Sequence, residues 1–294
     1  PRSAGEAGSN EEKEFMKTGL ILEGGAMRGM YTAGVMDVLM ENGIAVDEII
    51  GVSAGALFGV NYASGQRRRV IRYNKRFNQD PKYMGIFPLV TEGNIISKFA
   101  YTQVPRELDV FDDEKFKASG IPFYAVLTNV DTGLPEYHLI QSVFDQMDTL
   151  RASGSIPFVS KPVSIRGQRY LDGGVGDSVP FEWMSRHGND KLIVVLTRDD
   201  SYRKKPFPKA AVALSYGVHS PFGQRLLNRH THYNHQIEKL RQWEQEQKAF
   251  VIRPSKPILI GKLERDPAKL QAVYDIGTQD AKAALEGLKQ YLNQ

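Results

Sequence analysis

An α/β fold with a mostly parallel central sheet is what this sequence of 294 residues predicts. Three observations carry the prediction. Short, almost wholly apolar runs stand at residues 18–22 (TGLIL) and 191–197 (KLIVVLT), with the length and composition of strands buried on both faces. Segments with helical apolar spacing alternate with such runs, so that the chain opens β–loop–α–β–turn–α over residues 18–62. The first two strands both end in glycine-rich turns that lead into helices.

Residues 1–15 are rich in Gly, Ser and Glu and read as a disordered tail or a cloning remnant, with Met16 a candidate start. Residues 16–294 read as one domain, with the motifs in 18–198 and a helical part in 199–294. Strand 18–22 runs into Glu23-Gly24-Gly25-Ala26-Met27-Arg28-Gly29. A helix over 30–40 then stops at Asn42-Gly43. Residues 47–51 are the second strand, and 54–62 a helix of small residues. Residues 66–78 form a basic helix, whereas 80–120 carry only short elements between Pro and Gly. Strand 122–130 turns at Asp131-Thr132-Gly133 into 136–140, a hairpin. Residues 142–153 are helical, and 162–165 with 169–171 flank Arg166-Gly167 as a second hairpin. A helix over 180–187, strand 191–197, charged helical residues 209–247, strand 249–252 and an amphipathic helix over 267–292 complete the chain.

Composition limits the chemistry. No apolar run approaches the ~18 residues of a membrane-spanning helix. There is no cysteine, which excludes disulfides, thiolate nucleophiles and zinc–thiolate sites and fits a cytoplasmic origin. The net charge is +4; residues 1–15 hold two cations against four glutamates, leaving the body near +6. Such an excess favours anionic surfaces or serves solubility alone.

Gly51-Val52-Ser53-Ala54-Gly55 matches G-x-S-x-G between a strand and a helix. A serine on so tight a turn sits in a strained backbone with its hydroxyl outward, and Gly51 and Gly55 avoid the collisions that larger side chains would make. Gly24–Gly29 reads in two ways. As a phosphate loop it would cradle a dinucleotide, with Asp47 near the place of a ribose-binding acid. As an oxyanion hole its N–H groups would face a tetrahedral intermediate. Both turns lie at the carboxyl edge of one right-handed βαβ unit, about 4.8 Å apart, which favours the oxyanion hole.

A serine nucleophile needs a proton acceptor. His138, His187, His219, His230, His232 and His235 have no distinctive setting, and the last three lie on a polar helix. Asp172 ends a strand and precedes Gly173-Gly174, where a carboxylate serves either as base or as an ordinary turn residue.

Taken in order, Glu23 with the 24–29 loop, Gly51–Gly55, Ala152-Ser153-Gly154-Ser155-Ile156-Pro157 and Asp172-Gly173-Gly174 resemble the motifs of the patatin-like phospholipase family. Two positions depart from its pattern. Ala26 replaces a third glycine, and Gly154-Ser155 replaces the usual x-Ala. A methyl at Ala26 costs about 1 kcal/mol or more if its φ is positive. The resemblance implies a three-layer α/β/α fold with a nucleophile elbow. It implies a serine lipid acyl hydrolase in which Ser53 attacks an ester and Asp172 is general base, without histidine. Gly25, Ala26 and Met27 would supply the oxyanion N–H groups. Gly24, Arg28, Gly29, Gly51, Gly55, Gly173 and Gly174 would support the loops, with Arg28 orienting its loop or attracting a head group. No metal and no organic cofactor is implied. The partner is an acyl lipid, with transient membrane contact and no nucleic acid; no oligomeric state is implied.

The basic residues Arg67–Arg76 suit an anionic membrane surface or a solvated helix face, and Phe87, Leu89 and Phe99 are candidates for an acyl channel or its cover. Two other classes fit parts of the sequence: a non-catalytic relative that binds lipid or a partner, and a nucleotide-binding module built on the glycine loop.

Overall fold

A computed structural model describes residues 16–294; the expectation for 1–15 lies outside the described residues. One sheet contains β1 (Thr18–Leu22), β2 (Glu48–Val52), β3 (Phe123–Asn129), β4 (Pro135–Ile140), β5 (Val163–Ile165), β6 (Gln168–Asp172), β7 (Lys191–Val195) and β8 (Ala249–Ile252). The helices are α1 (Gly29–Glu41), α2 (Ala54–Ala63), α3 (Arg69–Phe77), α4 (Ile86–Glu92), α5 (Lys98–Tyr101), α6 (Asp113–Ala118), α7 (Met147–Ser153), α8 (Phe181–Arg186), α9 (Lys209–Tyr216), α10 (Pro221–Gln245) and α11 (Pro267–Leu292).

The expected parallel sheet is present at the centre, where β3, β2, β1, β7 and β8 pair in parallel. Beyond β3 the sheet is antiparallel, because β4 returns from β3, and β5 and β6 are joined by a tight turn. Short loops can join only antiparallel neighbours, so the sheet as a whole is mixed. Its two faces follow from strand alternation. Leu20, Leu22, Ile193 and Val195 face one core with α1, α2, α3 and α11. Ile21, Leu192 and Val194 face a second core with Phe181 and Met184 of α8 and Tyr233, Ile237 and Leu240 of α10. Each such aliphatic side chain, fully buried, stabilises the fold by about 1.5–3 kcal/mol before chain entropy is counted. The result is the expected three-layer α/β/α arrangement.

Residues 80–120 contain α4, α5, a π-turn at Val104–Leu108 and α6. Non-local bonds fix these short pieces: the Asp113 carboxylate accepts from Ser142 Oγ (2.8 Å) and the Val143 N–H (2.6 Å). The basic helix does not present a wholly solvated face. Arg69 is buried against Asp109 (3.1 Å), Arg72 bonds the same carboxylate (2.8 Å), and Arg67 pairs with Glu41 (3.0 Å). The charged stretch 209–247 is two helices, α9 and α10, broken at Gly217 with φ +75°.

One feature of register positions the site. β3 gives one edge to β4. Its other edge is shared: β2 occupies Phe123–Val126, and β6 takes over from Leu127 to Asn129. Val52 therefore lies opposite Val126, and Asp172 opposite the next residue, Leu127. The chain leaves the sheet after Val52 at the place where β6 arrives with Asp172.

Candidate active site

Ser53 has φ +55° and ψ −122°, the strained turn expected between β2 and α2. A β-carbon on Gly55 would stand 2.2 Å from the Leu22 carbonyl oxygen, so only glycine lets α2 start this close to β1. Gly51 holds the sheet register opposite Leu22 on the other side of the serine. Ser153 pins the turn: its Oγ accepts from the Ser53 N–H (2.9 Å) and donates to the Val126 carbonyl (2.7 Å). The sequence displayed Ser153 within a motif but gave it no task.

Ser53 Oγ donates to Asp172 Oδ2 at 2.6 Å, across 119 residues of chain. The other carboxylate oxygen, Oδ1, accepts from the Gly174 N–H at 2.8 Å. Gly173 sits against β3, where an added β-carbon would lie 2.0 Å from the Val126 carbonyl oxygen. Burial raises the Asp172 pKa above the ordinary carboxylate value, while the Ser53 hydroxyl, Arg229, the Gly174 N–H and Lys204 hold back that rise. A buried carboxylate held this way is a better proton acceptor than an exposed one.

The glycine loop stands beside this pair. Gly24 packs on Ser53 and Val52, Gly25 on Thr197, and Gly29 on Phe58 at the start of α1. Among the described residues the Gly25 and Ala26 N–H groups have no acceptor, whereas Met27 N–H donates to the Lys262 carbonyl at 3.4 Å. Two of the three expected oxyanion donors are thus uncommitted and the third is occupied. Ala26 has φ +50°, so its methyl group carries the left-handed strain that a glycine would avoid. Glu23 anchors the loop from below. Its carboxylate accepts from the Thr197 N–H (2.6 Å) and the Tyr233 hydroxyl (2.8 Å), joining the ends of β1 and β7 to α10. Asp47 accepts from the Thr18 N–H at 2.7 Å, at the amino end of β1. That is the end remote from the glycine loop, so Asp47 does not stand where a dinucleotide site would hold its ribose-binding acid.

Ser53 and Ala26 lie on the common wall of two chambers. One is an apolar channel walled by Leu57, Phe58, Tyr73, Ile96, Tyr101 and Leu150. Phe87, Leu89 and Phe99 are not in that wall. Phe87 is exposed on α4, and Phe99 packs edge-on against Phe77. The other chamber is a polar cleft that reaches Asp172 and Gly174 and contains Arg28. The sequence reading missed its other cations, Arg198, Lys204, Arg229 and Lys262, the last of which also lines the apolar channel. The only local signal was the basic run Arg203-Lys204-Lys205. Of the α10 histidines, His230 lines the cleft, and burial lowers the His232 pKa. Among the described residues no group of three His, Asp or Glu side chains converges to hold a metal ion, and no helix is long and apolar enough to cross a membrane.

Comparison with known proteins gives a consistent picture. The profile described as "Patatin-like phospholipase" matches residues 20–183, and one described as "Domain of unknown function (DUF6363)" matches residues 219–293. The chain is similar to the uncharacterized protein YjjU of Escherichia coli, with 34% identity over 60% of this chain and 51% of that protein. It is 32% identical to the lysophospholipase nte1 of Aspergillus fumigatus over 60% of this chain and 12% of that protein. The matches thus span about half, or far less, of those relatives' lengths. Among solved structures, VipD from Legionella pneumophila aligns over 92% of this chain and 67% of its own, with TM-score 0.48 and 12% identity.

Proposed function

Since the chain belongs to the patatin-like phospholipase family, we propose that it hydrolyses carboxylic esters of acyl lipids through Ser53 and Asp172. The observation that carries this reading is the 2.6 Å hydrogen bond from Ser53 Oγ to Asp172 Oδ2 at a strained elbow opening into an apolar channel. Ser53 Oγ attacks the ester carbonyl carbon as Asp172 takes its proton. The carbonyl oxygen becomes negative and accepts from the Gly25 and Ala26 N–H groups, which have no protein acceptor to give up. Collapse breaks the ester C–O bond. The proton on Asp172 goes to the departing alkoxide, and the acyl group stays on Ser53. A water molecule then gives a proton to Asp172 and adds to the acyl carbon. Collapse returns that proton to Ser53 Oγ and frees the fatty acid.

The amino end of α2 points at the nucleophile, and its dipole favours the negative charge that develops there. Acyl chains enter from a lipid surface in this reading. Ile86, Phe87 and Val90 of α4 stand in solvent, and α4 is carried between Met84 and Ile96, two residues of the channel wall. Most of the arginine run on α3 is bound internally, so the apolar face of α4 is the better candidate for that contact.

A fluorophosphonate probe tests the reading. The expected result is labelling of the wild-type chain and none of Ser53→Ala. An unlabelled wild-type chain that is folded by circular dichroism would overturn it.

A further inference from the structure

The polar cleft beside Asp172 holds a concentration of positive charge that the hydrolytic step does not need. Arg28, Arg198, Lys204, Arg229 and Lys262 line it, and Arg203 and Lys205 stand at its exposed edge. Among the described residues the cleft lining holds two carboxylates, Glu23 and Asp172. Both are already bonded, Glu23 to Thr197 and Tyr233, and Asp172 to Ser53 and Gly174. None of the five inner cations forms a salt bridge among the described residues. The Nε atoms of Arg28 and Arg198 are buried without a hydrogen-bond partner.

The arginines of α3 show the opposite arrangement. Arg69 and Arg72 share the Asp109 carboxylate, which satisfies both guanidinium groups within the protein. In the cleft the like charges oppose one another without such relief. Burial lowers the Arg28 pKa, with Arg198 adding to the effect, and burial lowers Lys204 strongly, with Arg229 next. Lys262 is lowered by burial and then by Arg229 and Arg28. Gathering five desolvated cations against two carboxylates is costly and is offset when an anion binds among them.

The aromatic residues of the cleft narrow the ligand further. Arg198 lies 4.0 Å over the Tyr202 ring, Lys204 3.8 Å over Tyr233, and Arg229 5.8 Å from Phe207. Three of the four Phe and Tyr rings in the cleft lining already carry a cation of the protein, Phe158 being the fourth. A choline head group therefore meets one ring without a cation, Phe158, too few to form a cage, and a field of its own sign. A phosphomonoester carries about −1.5 to −2 charges at neutral pH and three strong acceptor oxygens.

We propose that this cleft binds the phosphomonoester head group of an acylated glycerol phosphate, with the acyl chain in the apolar channel and the ester at Ser53. The proposal rests on the hydrolase reading for the place of the ester, but the head-group preference is separately measurable. Arg28 reaches the site from the glycine loop, whereas Arg198, Lys204, Arg229 and Lys262 come from beyond residue 183, the last residue matched by the patatin-like profile. The alcohol half of the substrate is thus chosen mostly by residues outside that range, with Arg28 inside it.

Calorimetric titration of the full chain carrying Ser53→Ala separates binding from turnover. The ligands are lysophosphatidic acid, lysophosphatidylglycerol and lysophosphatidylcholine of one acyl chain, with glycerol 3-phosphate and inorganic phosphate. Lysophosphatidic acid is expected to bind roughly tenfold or more tightly than lysophosphatidylcholine, with the phosphodiester monoanion between them. That ratio should collapse towards one in Arg198→Gln combined with Lys262→Met, and should recover in part in Arg198→Lys. Equal affinity for lysophosphatidic acid and lysophosphatidylcholine overturns the proposal. Glycerol 3-phosphate or inorganic phosphate binding as tightly as the lipid overturns the lipid assignment and leaves a soluble phosphate ligand. If the double variant does not fold, the ranking of the three lipids decides. Turnover of a neutral nitrophenyl ester by the wild-type chain is read in parallel. Its absence with the lipid ranking intact defeats the hydrolase reading alone, and turnover without the ranking defeats the head-group proposal alone.

Discussion

The two chambers that meet at Ser53 differ in size, lining and origin. The apolar channel is narrow, about 100 Å³, and its wall comes almost wholly from residues 26–156. The cationic cleft is about 570 Å³, and much of its wall comes from residues 198–262. The channel wall is what a hydrophobic core becomes when a gap is left in it: Leu57, Phe58 and Leu150 also pack in the larger core. The cleft wall is the reverse, a place where the fold tolerates unpaired charge. The contrast teaches that, on the proposed reading, chain recognition and the reacting groups share one region, while the alcohol half meets another. Ser53 belongs to both because the elbow projects it from the sheet edge where the two walls join.

The largest effect should ignore the distinction between chambers. Asp172→Asn removes the proposed proton acceptor, so hydrolysis of neutral and phosphorylated esters should fall together by about 10²–10⁴-fold. A fall confined to one substrate class in steady-state assays would show that Asp172 serves a chamber and not the reaction. Next in size is a change on the apolar side. Ala100→Trp places a large ring in the channel wall, and should lower kcat/KM for long acyl chains relative to short ones by roughly tenfold or more. An unchanged chain-length profile would remove the channel from acyl recognition.

A smaller effect crosses from the cleft to the chemistry. Lys204 and Arg229 lower an Asp172 pKa that burial raises. In the proposed mechanism the base acts as the carboxylate, so activity is gained as pH rises through that pKa. Lys204→Met removes one cation, raises the pKa further and should move the acid limb of the kcat profile to higher pH. A shift to lower pH, or none, would separate the cleft electrostatically from the base. The smallest effect concerns the loop between the chambers. Ala26→Gly relieves the positive φ and should raise stability by up to about 1 kcal/mol in urea unfolding. A loss of stability would mean that the methyl group is worth more in packing than it costs in strain.

Much of the frame was legible because it depends on near neighbours in the chain. Strand β8 and helix α11 have the bounds read from apolar spacing, and Asp172 closes β6 as expected. Residues 80–120 were not legible, since α4, α5 and α6 are short and depend on partners such as Ser142 that lie far along the chain. The oxyanion donors were read as a group of three, but only the structure shows that Met27 N–H is taken by Lys262. Ser153 was visible as a motif residue, and its task appeared only when Val126 was placed beside it. Beyond the run Arg203-Lys204-Lys205 the cleft had no sequence signature, because its cations come from four separate segments and none follows a fixed spacing from another.

The sequence by itself determined the elbow and the groups proposed to react: a serine between two glycines at a strand end, a glycine loop, and a carboxylate before two glycines. Such features are local, fixed by backbone sterics within a few residues of each position. Only the tertiary structure decided that Ser53 meets Asp172, because β6 takes over the β3 edge at the point where β2 ends. It likewise decided which charges gather opposite that pair. Strand pairing and charge compensation are set by contacts between distant segments, whose energies no stretch of the chain contains alone.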